Sequence, residues 1–180
     1  MWSGTHALLL VTVALAIEPV VCYKGNYERF EQFFGHEYID MDLRVRKYNR
    51  TTMVLNGTMF IRQPIDDTIV FSSDVFHSRL GNQQFQHYPM RLPTSGCCQF
   101  IDNIHNEYPE FIGDIGNIPV LGECPVSVRS MIIDDKVFPT SVLPDSLAAG
   151  LWKLVITGAI EEKAVIRLMI SIRLYDDFFM

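Results

Sequence analysis

Strict alternation of polar and apolar residues limits the fold of this chain more than any other feature. The stretch YIDMDLRVRKY, residues 38–48, places its apolar members on one face: Ile39, Met41, Leu43 and Val45. After a turn at NRT, the stretch TMVLNGTMFIR repeats the pattern with Met53, Leu55, Met59 and Ile61. A period of two is the signature of a β-strand that buries one face. The two stretches therefore predict a pair of half-buried strands.

Further strands are predicted along the rest of the chain. TIVFSSDVF predicts a third strand with Ile69, Phe71 and Val75 inward, and residues 126–133 predict another. LWKLVITG and AVIRLMISIRLY predict two final strands around an EEK turn, with these residues of the last strand inward: Ala164, Ile166, Leu168, Ile170, Ile172 and Leu174. Short turns between strands of this kind favour antiparallel pairing.

One segment changes to a helical period. In CCQFIDNIHNEYPEFIG the residues Phe100, Ile104, Tyr108 and Phe111 recur at spacings of four, four and three, and Pro109 is expected to break the helix. The chain is therefore predicted to be an all-β protein, an antiparallel β-sandwich or β-cup with one short helical segment.

The first residues indicate export. Residues 7–17 are an unbroken apolar run, shorter than the roughly 20 residues that span a bilayer but typical of a signal peptide. Cleavage after Ala16 or after Cys22 fits the pattern, and Pro19, which ends the apolar run, favours Cys22. We expect a signal peptide at 1–22, one domain at 23–180, secretion to the extracellular space, and no stable membrane insertion.

Two glycosylation sequons agree with secretion. Asn49 (NRT) lies in the predicted turn, and Asn56 (NGT) falls opposite the apolar face of its strand, so a glycan there would project into solvent. The net charge of −6 excludes the basic surface that a nucleic-acid-binding protein needs.

Four cysteines constrain the covalent structure. Cys97 and Cys98 are adjacent, so their Cα atoms lie about 3.8 Å apart, below the usual disulfide range. One of the two is therefore expected to pair with Cys124. The other would pair with Cys22 if cleavage follows Ala16, and would otherwise be free or pair between chains. No spacing typical of a zinc site occurs.

A family resemblance rests on the order CCQFI, a helix, GECPV, GLWKLVI and a long final alternating strand. This order resembles the CheB-like chemosensory proteins, a secreted insect family similar to the ML lipid-recognition domain and the ganglioside activator protein. The resemblance runs from about residue 36 to residue 175. It implies a Cys98–Cys124 disulfide and leaves Cys97 without a counterpart. It also implies that the predicted β-sandwich or β-cup has an apolar cavity between its sheets.

The chain is rich in apolar residues and poor in catalytic motifs. Hydrophobic residues make up 48%, with twelve Phe and eight Met, and no nucleophile elbow, phosphate loop or paired histidine ligands occur. We expect no enzymatic activity, no cofactor and no metal. Methionine suits cavities for flexible apolar ligands, and the predicted cavity residues are Met41, Leu43, Met53, Leu55, Met59, Phe71, Phe100, Ile104, Trp152 and Leu154.

Two functions follow as hypotheses. The first is a secreted binding protein for lipids or other hydrophobic small molecules. The resemblance adds a role in contact chemosensation, such as pheromone perception, with a chemosensory receptor or channel as partner. The alternative is an extracellular protein–protein interaction module whose sandwich has a solid core.

Overall fold

A computed structural model describes residues 23–144 and 147–176 of the chain. The predicted signal peptide and Cys22 lie outside the described residues. Within them the strands are β1 (Tyr23–Phe34), β2 (Ile39–Lys47), β3 (Met53–Ile61), β4 (Val70–Ser78), β5 (Gln86–Tyr88), β6 (Ser95–Gly96), β7 (Ile115–Gly116), β8 (Arg129–Val137), β9 (Gly150–Ile160) and β10 (Lys163–Asp176). The helices are α1 (Cys97–Glu107) and α2 (Pro109–Ile112).

The strands form two antiparallel sheets. The first sheet has the order β1-β10-β9-β4-β5, and β6 pairs with the beginning of β4. The second sheet has the order β2-β3-β8-β7. The prediction of an all-β antiparallel fold with a short helical segment is confirmed.

The buried side chains form three clusters, of which the first and the third join the two sheets. One surrounds the beginning of β4 and includes Phe71, Met131 and Ile166. A second surrounds Trp152 on β9. The third brings Tyr27 of β1 against Leu55 and Ile133 of the second sheet, along with side chains of β10. Because each cluster takes residues from distant parts of the chain, the core depends on the sheets stacking face to face.

Strand β1 is the long strand that alternation does not predict. It pairs with β10 along its length, but bulges interrupt the register between Tyr27 and Arg29 and between Gln32 and Phe34. Residues Tyr27 and Phe30, which both pack into the third cluster, are therefore three positions apart. A bulge inserts an extra residue into the ladder and so removes the period of two that a sequence pattern detects.

Strand β8 also contains a bulge, and it begins later than predicted. The expected strand at 126–133 is observed at Arg129–Val137. Its register with β3 shifts between the Gly57–Ile133 and Leu55–Lys136 pairs, and Asp135 has φ of 47°. As a result Ile133 and Lys136 both stand opposite inward positions of β3, and a lysine is buried there.

Helix α1 begins where the sequence predicts and is anchored from outside. The backbone N–H groups of Cys98 and Gln99 donate to Asp67 Oδ1, at 2.9 and 3.3 Å, which satisfies donors at the helix start. Pro109 separates α1 from the short α2, as expected. One predicted inward position is wrong: Ala164 is exposed, because a bulge follows it beside the Glu161–Glu162 turn.

Candidate functional site

Four inward-facing side chains in the middle of the central strands β9 and β10 are only partly buried. They are Leu154, Ile156, Ile170 and Ile172. The other large inward-facing side chains of these strands, Trp152, Ile166, Leu168 and Leu174, are at most 7% exposed. On the opposite face of the same strands Leu151, Val155 and Met169 keep 6 to 8% of their surface exposed. In a filled sandwich the inner face of a central strand is the more deeply buried one. The Leu154–Ile170 pair departs from this rule, because it is less buried than the Val155–Met169 pair on the opposite face.

The facing sheet shows a similar pattern. Met41 and Leu43 on β2 and Met59 on β3 are partly buried, although all three pack against the core clusters. Strand β2 is an edge strand, which accounts for part of the exposure of its residues. Solvent therefore reaches apolar side chains that both sheets direct toward each other.

The structure brings most of the predicted cavity residues into the three clusters. Leu55, Phe71 and Trp152 are buried members, and Met41, Leu43, Met59, Phe100 and Leu154 pack against them. Met53 and Ile104 lie outside these clusters in the described part of the chain. Met53 is at the start of β3, and its backbone N–H donates to Asn26 Oδ1 at 3.0 Å. Ile104 is partly buried on α1.

Tyr27 contributes a polar group to this apolar interior. Its side chain is 1% exposed, its ring meets the edge of Phe138 at 5.4 Å, and its hydroxyl makes no hydrogen bond with any described residue. Burial, and then the negative charge of Asp114, raises the pKa of the phenol. The hydroxyl is therefore neutral and able to donate or accept a hydrogen bond.

Lys136 is a second polar residue of the interior. It is 3% exposed, and its ammonium group pairs with the Asp114 carboxylate and lies 5.5 Å from the centre of the Phe111 ring. Asp114 thus links the surroundings of Tyr27 to those of Lys136. A buried ammonium group needs such a partner, because moving its charge from water into the protein interior costs on the order of several kcal/mol.

Sequence reasoning missed Tyr27 and Lys136. Lys136 follows a bulge in β8 that changes the face of the later residues, and Tyr27 is followed by a bulge in β1 that breaks the alternation of that strand. A strict period of two would place the side chains of Lys136 and Ile133 on opposite faces of β8. The signal that could have indicated the bulge is the Asp134–Asp135 pair, because aspartate tolerates a positive φ better than most residues.

Trp152 packs in the second cluster of buried side chains. Its indole stacks on His77 at 4.2 Å and meets the edge of Tyr88 at 4.8 Å. The indole Nε1–H donates to the carbonyl of Ala148 at 2.9 Å, which fixes the chain that leads into β9. Trp152 is therefore part of a rigid aromatic group.

The cysteines take the arrangement that the resemblance implies. Cys98 is joined to Cys124, with the Cα atoms 5.6 Å apart. Cys97 has no disulfide partner among the described residues and is only 2% exposed, and burial, with the charges of Asp67 and Asp66, raises the pKa of its thiol to about 12. Asp67 has an oxygen within 4.8 Å of the two disulfide sulfurs, but those sulfurs are bonded to each other and cannot act as thiolate ligands.

The two sequons differ in their surroundings. Asn49 is exposed at the tip of the β2–β3 hairpin, where its Oδ1 accepts hydrogen bonds from Thr51 and Thr52. Asn56 is partly buried on β3, and its Nδ2 donates to Asp134 and Asp135 at 3.2 and 3.1 Å. A glycan at Asn56 would replace one of these amide hydrogens, so Asn49 is the less constrained site. Glycosylation at both positions stays a prediction.

Comparison of the chain with protein-family models and with curated proteins gives no match. In the described residues no helix has the length and apolar character needed to cross a membrane.

Proposed function

We propose that this protein is a secreted binding protein for hydrophobic small molecules, which it holds between its two sheets. The observation that carries the proposal is the partial exposure of inward-facing apolar side chains in the middle of the central strands. Leu154, Ile170 and Ile172 face the second sheet and remain accessible, whereas Val155 and Met169 behind them are buried. An apolar ligand between the sheets would remove this surface from water, at about 25 cal/mol per Å².

The polar groups of the interior define the ligand further. An apolar body fits the side chains of β2, β9 and β10, and a single hydroxyl or carbonyl oxygen would pair with the Tyr27 hydroxyl. A buried hydroxyl without a partner costs about 1–3 kcal/mol, so the ligand oxygen would recover that free energy. Lys136 already pairs with Asp114, which makes an uncharged ligand head more suitable than an ionised one.

Secretion and a chemosensory role belong to the same proposal. The apolar run at 7–17, the two sequons and the Cys98–Cys124 disulfide support an oxidising, extracellular compartment. The resemblance to CheB-like proteins supports contact chemosensation, with presentation of the ligand to a receptor or channel. The absence of a catalytic motif supports binding without turnover.

Paired ligands test the proposal. Dodecan-1-ol and dodecane have the same apolar body, and only the alcohol has a hydroxyl for Tyr27. We expect both to displace a fluorescent apolar probe from the wild-type protein. Tyr27→Phe should weaken the alcohol about tenfold, the magnitude of one buried hydrogen bond, and leave dodecane unchanged. Tyr175→Phe, on the exposed surface of β10, is the control. Failure of both ligands to bind would refute the proposal.

The alternative function has an observation of its own. Ile132 and Val137 on β8, and Val128 just before it, are 50 to 59% exposed. Exposed apolar side chains along one strand favour contact with another protein. If neither ligand binds, an interaction module becomes the better account, and Ile132→Ser should then weaken capture of the partner.

A further inference from the structure

A second region of the molecule has the features of a binding site, and it lies on the face of the first sheet that points away from the interior. The outer surface of β1, β10 and β9 forms an open groove of about 780 Å³. Its floor is apolar and includes Val155, Met169 and Leu151. Phe33 and Phe34 of β1 line one side, and Phe76 and Phe85 line the other.

The charge of this groove is opposite to that of the whole chain. The lining contains four cationic side chains and two anionic ones, whereas the chain has a net charge of −6. Two of the cations are neutralised, because Arg173 pairs with Glu28 and Arg29 pairs with Glu31. Lys153 and Arg167 have no carboxylate partner in the described part of the chain. They give the groove a surplus of two positive charges.

Lys153 is held in position by aromatic rings. Its ammonium group lies 4.6 Å from the centre of the Phe76 ring and 4.2 Å from that of Phe85. A lysine between two ring faces loses part of its freedom before any ligand arrives, and cation–π contact leaves its N–H groups able to donate to an anion. The side chain is therefore prepared for an anionic partner.

The two unpaired cations stand on either side of the Met169–Val155 pair of the apolar floor. On β10, Arg167 lies four residues from Ser171, which is opposite Lys153 in the register of β9 and β10. Four residues of a strand span about 13 Å, and the Met169–Val155 pair lies between. The groove thus combines an apolar floor with a cation on either side of this pair.

We propose that this groove binds an anionic amphiphile, a molecule with an apolar body and a carboxylate, sulfate or phosphate group. The body lies over Val155 and Met169 between the phenylalanine walls, and the anionic group pairs with Lys153 or Arg167. The site is separate from the space between the sheets, because the floor residues belong to the opposite face of β9 and β10. It does not depend on the function proposed above.

Sodium dodecanoate, below the concentration at which it forms micelles, is the probe for calorimetric titration. We expect wild-type protein to bind it, and Lys153→Gln/Arg167→Gln to bind it at least about tenfold more weakly because charge-assisted hydrogen bonds are lost. Arg50→Gln/Arg91→Gln is the control, since it removes two exposed cations elsewhere. The control should bind as wild type does, and higher salt should weaken wild-type binding.

Binding of dodecan-1-ol distinguishes this groove from the proposed site between the sheets. Its affinity should not change in the Lys153→Gln/Arg167→Gln variant, whatever its affinity for wild type. If Lys153→Gln disturbs the Phe76 and Phe85 contacts, Arg167→Gln alone should still weaken dodecanoate binding. The proposal is overturned if dodecanoate does not bind, if the control weakens it equally, or if wild type binds vesicles containing phosphatidylserine but not monomeric dodecanoate.

Discussion

Cys97 shows how one position decides the chemistry of a side chain. It follows Gly96 at the start of α1, and neighbouring residues of a helix point about 100° apart. Cys98 therefore reaches Cys124, while Cys97 turns into the core cluster that contains Phe71. A buried thiol with a pKa of about 12 ionises poorly and reacts slowly. This burial argues against Cys97 as a contact between chains.

The raised pKa of Cys97 predicts a loss of stability at high pH. The unfolded thiol ionises near its ordinary pKa of 9.0, whereas the folded thiol keeps its proton to about 12. Between these values the native state binds more protons, so the free energy of unfolding falls as pH rises, by about 1.4 kcal/mol per pH unit at most. Urea unfolding of wild type and Cys97→Ala from pH 7 to pH 10 measures the effect.

The comparison with Cys97→Ala isolates this thiol from other groups that titrate at high pH. The stability advantage of the wild type over the variant should be constant up to about pH 8.5 and then shrink. An advantage that stays constant up to pH 10 would show that the thiol ionises equally well in both states.

At the scale of elements, the β2–β3 hairpin depends on a single glycine. Gly57 has φ of 142° and stands opposite Leu43, and a Cβ atom there would lie 2.0 Å from the Asp42 carbonyl oxygen. No side chain fits this space unless the two strands separate. The glycine is also the middle residue of the second sequon, which alanine would preserve.

Gly57→Ala should therefore destabilise the protein by about 3 kcal/mol or more, since it combines backbone strain with an overlap between strands. The matched control is Gly122→Ala, because Gly122 also has a positive φ of 80° but has open space around it. That variant should lower the free energy of unfolding by only about 1–2 kcal/mol. Urea unfolding of both variants measures the difference, and equal losses would contradict the overlap.

The strands differ in how far the sequence predicts them, and bulges are the reason. The unbroken ladder of β2 and β3 has a strict period of two, and its boundaries follow the pattern closely. The bulge in β8 changes the face of Lys136, and the bulges that follow Tyr27 break the alternation of β1, so neither residue could be placed from the pattern. Ala164 was misplaced for the same reason.

At the scale of the whole molecule, the proposed binding of a ligand between the sheets depends on the distance between them. Alternation identifies the residues that face inward, and the clusters contain eight of the ten predicted cavity residues. Alternation does not show whether the facing side chains touch each other, because that depends on the distance at which the sheet edges, the helix and the loops hold the two sheets. The partial exposure of Leu154 and Ile170 could therefore be found only in the structure.

Two faces of one sheet would then serve different ligands. The inner face offers an apolar surface with one neutral hydroxyl, and the outer face offers an apolar floor between Lys153 and Arg167. A single protein could thus bind an uncharged and an anionic amphiphile independently.

The most direct test of the central claim is native mass spectrometry of the secreted protein, followed by organic extraction of whatever it releases. We predict a bound hydrophobic molecule with one uncharged polar group, released when the protein unfolds and absent from an empty control protein treated identically. A protein that is secreted empty, and that takes up neither dodecan-1-ol nor dodecane when they are added, would contradict the claim that the space between the sheets is a binding site.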